Sequence, residues 1–145
     1  MTLVSASFSK KAKAAAYLLC ASLLFIAPAV DGAKIAPLNA QEAQVWKQHG
    51  FNPEDAAEWK HVGFSPAEAR QWVQAGIPYA QWADQWRGEG FGPGQAKEWV
   101  NKKVNVYTAG DFRKFGFSHR EALDWFGNGI RSGLRAKEFR DGGFT

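Results

Sequence analysis

Trp46, Trp59 and Trp72 are spaced thirteen residues apart, and the spacing persists far beyond them. It divides residues 37–142 into eight repeats: 37–49, 50–62, 63–75, 76–89, 90–102, 103–115, 116–128 and 129–142. Six have 13 residues, and the fourth and eighth have 14. The clearest begins Gly63-Phe64-Ser65-Pro66 and reaches Trp72, giving G-F-x-P-x-x-A-x-x-W. The late aromatic is Trp46, Trp59, Trp72, Trp86, Trp99, Phe112, Trp125 and Phe139. The early apolar residue is Leu38, Phe51, Phe64, Ile77, Phe91, Val104, Phe117 and Ile130. So short a period leaves room for one helix per repeat. One such helix cannot bury its own apolar face, so neighbouring repeats must cover one another.

Each repeat carries its own start and stop signals. Ser65 suits an N-cap, Pro66 the first helical position, and Glu68 completes a capping box. Asn39 with Glu42, Asn52 with Asp55, and Ser118 with Glu121 follow the same scheme. Gly63, Gly76, Gly116 and Gly129 fall where a left-handed residue ends a helix, and the next residue supplies the apolar contact of a Schellman turn. The predicted helices are about 9–11 residues long, or roughly 15 Å. Helices this short are marginal alone, so the late aromatics are assigned to a shared core. Gly94, Gly110 and Gly133 fall inside helices and are expected to weaken them by up to about 1 kcal/mol each.

The long repeats are the fourth and the eighth, so the array reads as two 53-residue blocks, 37–89 and 90–142. The expected fold is all-α: eight one-helix repeats stacked as a compact α-solenoid, with 34–36 as a linker and 143–145 as a truncated repeat tail. The glycine-rich stretch Gly88–Gly94 serves as the junction between blocks. The pattern resembles bacterial short tandem repeats with a G-F-x-P-x-x-A-x-x-W consensus. The Gly-Phe turn alone is similar to that of ubiquitin-associated domains, whose three-helix spacing is absent. Neither resemblance carries a functional residue onto this chain.

Ahead of the repeats, residues 1–33 read as a signal peptide. Lys10, Lys11 and Lys13 precede an apolar run from Ala14 to Val30, and Ala27-Pro28-Ala29 offers a cleavage pattern, with cleavage near 29–33. Retained, the run would be a short membrane anchor, at the lower limit of a spanning length. The expected location is therefore secreted or periplasmic. Cleavage removes Cys20, the single cysteine, and leaves 15 basic against 14 acidic residues from Val30 onward.

Little chemistry is expected of such a chain. No nucleophile motif, cofactor loop or metal-ligand spacing is present, so no catalytic, cofactor or metal residue is assigned. His49, His61 and His119 read as exposed helix-end residues, and Ser65, Ser118 and Ser132 as caps. Two surface candidates remain. Tyr79 and Trp82 form an aromatic pair, Trp82 having no counterpart in the other repeats. Residues 101–145 hold nine basic and five acidic side chains, and Arg113, Lys114, Arg120, Arg131 and Arg135 could meet an anionic partner.

These features point to an exported, noncatalytic interaction protein, binding an unknown protein or an anionic envelope component. Nucleic acid is not expected, and a membrane is met only through a retained signal segment. The alternatives are a small hydrolase of envelope polymers and a self-associating structural protein.

Overall fold

The structure, a computed structural model, describes residues 35–144. The signal peptide expected over residues 1–33 lies outside the described residues. Among these the fold is all-helical, with no strand, and its eight helices keep the repeat spacing. They are α1 (Ala40–Gln48), α2 (Pro53–His61), α3 (Pro66–Gln74), α4 (Ala80–Gly88), α5 (Pro93–Asn101), α6 (Val106–Lys114), α7 (His119–Gly127) and α8 (Gly133–Asp141).

Each starts and ends by local rules. Asn39, Ser65 and Ser118 form full capping boxes with Glu42, Glu68 and Glu121. Asn52 caps α2 by accepting from the Asp55 amide at 2.8 Å, but the Asp55 carboxylate takes the Asn52 side-chain amide instead of closing the box. Asn105 caps α6 through the Thr108 amide at 2.8 Å, a cap the sequence reading had not used.

The turns repeat more strictly than the sequence does. Gly50, Gly63, Gly76, Gly90, Gly116, Gly129 and Gly143 all have φ between 78 and 90°. Lys103 takes the same position in its repeat with φ 59°, where a side chain is strained. After each of these, the next amide donates to the carbonyl of the late aromatic. Phe51 donates to Trp46, Phe64 to Trp59, Val104 to Trp99 and Phe144 to Phe139, at 3.0–3.2 Å. This is the six-to-one bond of a Schellman turn, and it seats the early apolar side chain against the late one.

The rings follow. Trp46 meets Phe51 edge-on at 5.3 Å, Phe51 meets Trp59 at 6.1 Å, Trp59 meets Phe64 at 5.2 Å and Phe64 meets Trp72 at 6.2 Å. Phe112, Phe117 and Trp125 continue the pattern at 5.9 and 6.2 Å. Such pairs are worth about 0.5–1.5 kcal/mol each beyond their area burial. Trp46, Trp59, Trp72, Trp86, Trp99 and Phe112 are buried; Trp125 and Phe139 are only half-buried. The last two stack on each other at 6.3 Å, and Phe139 then meets Phe144, itself 65% exposed, so this end of the ladder is the less covered one.

The chain falls into two compact units, one ending at Asp84 and one beginning at Gln85. The division lies within α4. In the first unit α1 packs on α2 and α2 on α3; in the second, α6 packs on α5, α7 and α8. Helix α6 is accordingly the centre of the second unit, with Val106, Ala109 and Phe112 almost wholly buried.

The tightest approach is between α6 and α8. A Cβ on Gly133 would lie 2.5 Å from the Asp111 carbonyl oxygen and 2.7 Å from Phe112 Cα. Gly133 is therefore not a weak point in its helix: it permits the contact. Gly110 is likewise closely covered, by the Glu89 carboxylate, and of these three helix glycines only Gly94 faces open space. Ser132 is no cap. Its hydroxyl turns to the Asp111 carboxylate at 3.3 Å, and that carboxylate accepts the Gly133 amide at 2.7 Å, so α6 caps α8 across the contact.

Candidate functional site

The two surface candidates fare differently. Trp82 is only 6% exposed and belongs to the core. Tyr79 is half-buried, its ring 4.6 Å from Trp82 in an edge-on contact. Trp82 breaks the repeat pattern by burying an additional aromatic, not by displaying one.

The cationic residues are exposed, but several are tied to rings. Arg113 places Cζ 5.5 Å from the Phe91 ring while Nη1 donates to the Gly90 carbonyl at 2.9 Å. Arg131 lies 4.1 Å over Phe126. Arg135 lies 5.5 Å over Phe139 and reaches Glu138 Oε2 at 3.2 Å. Arg140, outside the candidate set, lies 4.2 Å over Phe117 and donates to the Phe115 carbonyl. Lys114 is exposed. Arg120 borders a small cleft shared with Glu98, Lys102 and Asp124. The charges are thus held at fixed points along the second unit, with acids beside some of them.

Acids also shape the helix starts. Hydrogen bonds from the Ser118 side chain and backbone hold the Glu121 carboxyl below its usual range. Lys60, followed by the Asn39 amide, does the same for Glu42. Both carboxylates are spent on structure.

His119 is the residue that sequence reasoning misplaced. Only 18% of its side chain is exposed, because the ring sits edge-on between Phe91 at 6.4 Å and Trp99 at 5.8 Å. Its Nε2 lies 3.3 Å from Glu98 Oε2 without hydrogen-bond geometry, and both ring nitrogens are shielded from solvent. Trp99 Nε1 is also buried without an acceptor. These groups border a cleft of about 470 Å³ in the second unit. The available signal was that His119 replaces the repeat proline, which removes a rigid ring and adds two nitrogens.

Among the described residues no group of three or more His, Cys, Asp or Glu side chains is placed to hold a metal ion. No described helix is long and apolar enough to cross a membrane. Comparison with protein-family models, with curated proteins and with solved structures finds no match.

Proposed function

We propose that this is an exported, noncatalytic helical-repeat interaction protein. In this reading the repeats stack as a compact α-solenoid, and the second block binds an anionic envelope or extracellular partner. The observation that carries the reading is the seating of exposed guanidinium groups on aromatic rings, at Phe126 for Arg131 and at Phe91 for Arg113. A cation held on a ring loses less rotamer freedom on binding, and pre-organisation of this kind raises affinity. Lys114 and Arg120 extend the same charge. The test is capture of partners from the envelope fraction by the whole mature chain, followed by co-sedimentation with anionic vesicles or acidic polysaccharide. Salt screens surface charges over about 8–10 Å at physiological ionic strength, so binding is expected to fall steadily as salt rises. Reversing Arg120, Arg131 and Arg135 together nearly abolishes it while the helical signal is retained. Binding indifferent to both changes contradicts the proposal.

A further inference from the structure

We propose that copies of this chain associate head to tail, the last repeat of one copy docking on the first repeat of the next. This goes beyond the binding of an anionic partner and does not rest on it. The burial of equivalent positions carries the inference. All eight repeats place an alanine three residues before the late aromatic, from Ala43 to Ala136. Seven of these alanines are at most 2% exposed, whereas Ala43 is only half-buried. Ala136 is fully buried although no described helix follows α8, so the alanine is covered from the preceding side. The late aromatics show the opposite. Trp46 is buried although no described helix precedes α1, whereas Trp125 and Phe139 are half-buried, so the aromatic is covered from the following side.

The first and last repeats therefore lack complementary halves of one contact. On the first, the head, Leu38, Ala43 and Phe51 are half-buried for want of a preceding repeat. On the last, the tail, the turn that opens a repeat is already built. Gly143 has φ 84°, and the Phe144 amide donates to the Phe139 carbonyl at 3.0 Å. The Phe144 ring meets Phe139 edge-on at 6.0 Å, yet it is 65% exposed, where Phe64, Phe91 and Phe117 are 4–5% exposed. Outermost repeats ordinarily present a polar face to water, and here both present apolar side chains. Charge then selects which surfaces meet. Residues 129–142 carry four basic and two acidic side chains, and residues 37–62 carry two basic and four acidic. Tail on tail, or head on head, sets like charges against each other, while tail on head brings a net +2 to a net −2. A contact between different surfaces grows into rings or filaments instead of closing as a symmetric dimer. One repeat against one is small beside the roughly 1,200 Å² of a standard interface, so the association is weak and depends on concentration.

Sedimentation of the whole mature chain reads the mass, which is expected to rise with protein concentration. Phe144→Asp, at an exposed site past the last helix, spoils the tail. Ala43→Gln spoils the head by bulk, at a position where every repeat keeps alanine. Each variant alone is expected to associate at least tenfold more weakly than the unmodified chain. Their equimolar mixture joins one intact tail to one intact head, and it is expected to form dimers with the unmodified affinity and nothing larger. Should Ala43→Gln lose its helical signal, a small amount of labelled unmodified chain replaces it, and excess Phe144→Asp is expected to hold that chain as dimers. A monomer mass that stays constant up to about 1 mM, full association in either variant alone, or a mixture that stays monomeric would each overturn the proposal.

Discussion

Ser118 and Ser132 both stand just before a helix, in neighbouring repeats, yet only the first caps its helix. Ser118 belongs to a 13-residue repeat and closes a capping box with Glu121. Ser132 belongs to a 14-residue repeat, where one more residue separates the turn glycine from the helix. Its helix is held instead by Asp111 of α6, through the Gly133 amide. The other 14-residue repeat also departs from the rule, since it buries Trp82, which no 13-residue repeat possesses. The short repeats, apart from the one that starts its helix at Gly92, are thus capped by their own side chains, and the long ones draw on groups the repeat pattern does not specify. An insertion that looks like a small adjustment of a turn changes what holds the helix in place.

Trp82→Ala has the largest expected effect. Loss of a buried large aromatic costs about 3–5 kcal/mol, and a denaturant melt of the variant should show it. A melting curve that stays in place would return Trp82 to the surface. Gly133→Ala comes next, because its Cβ runs into the backbone of Asp111 and Phe112. Overpacking of this kind costs about 1–3 kcal/mol, whereas Gly94→Ala, with open space around it, stabilises by up to about 1 kcal/mol. Equal effects at the two positions would remove the close α6–α8 contact from the account. The smallest effect separates the serines themselves. Ser118→Ala loses a cap, at about 1 kcal/mol. Ser132→Ala loses one side-chain hydrogen bond, at about 0.5 kcal/mol. The reverse order, again by melt, would mean that Ser132 caps α8 after all.

This division also explains what the sequence made legible. Helix positions, caps and turns are decided within one repeat, so Ser65, Pro66, Gly63 and Trp72 could be read directly. The surroundings of His119 could not. They come from Phe91, Glu98 and Trp99, two repeats earlier in the chain, and no local rule places a ring between them. The expected role of Trp82 failed for the same reason. Lack of a counterpart marked it as unusual, but whether an unusual aromatic faces solvent or core depends on packing. Composition marks the arginines, while their seating on Phe91, Phe126 and Phe139 is decided by packing between repeats.

At the centre of the account is a single left-handed turn repeated along the chain and tolerant of departures in sequence but not in geometry. Lys103 and Gly63 occupy equivalent positions, at φ 59° and 89°, and a Cβ on Gly63 meets nothing within 4 Å. Exchanging their identities therefore changes backbone preference without a clash. The most direct measurement is the denaturant midpoint of Lys103→Gly beside that of Gly63→Lys. The account predicts opposite signs, a gain of about 1 kcal/mol for the first and a loss of about the same for the second. A loss at Lys103→Gly, or no loss at Gly63→Lys, would contradict it.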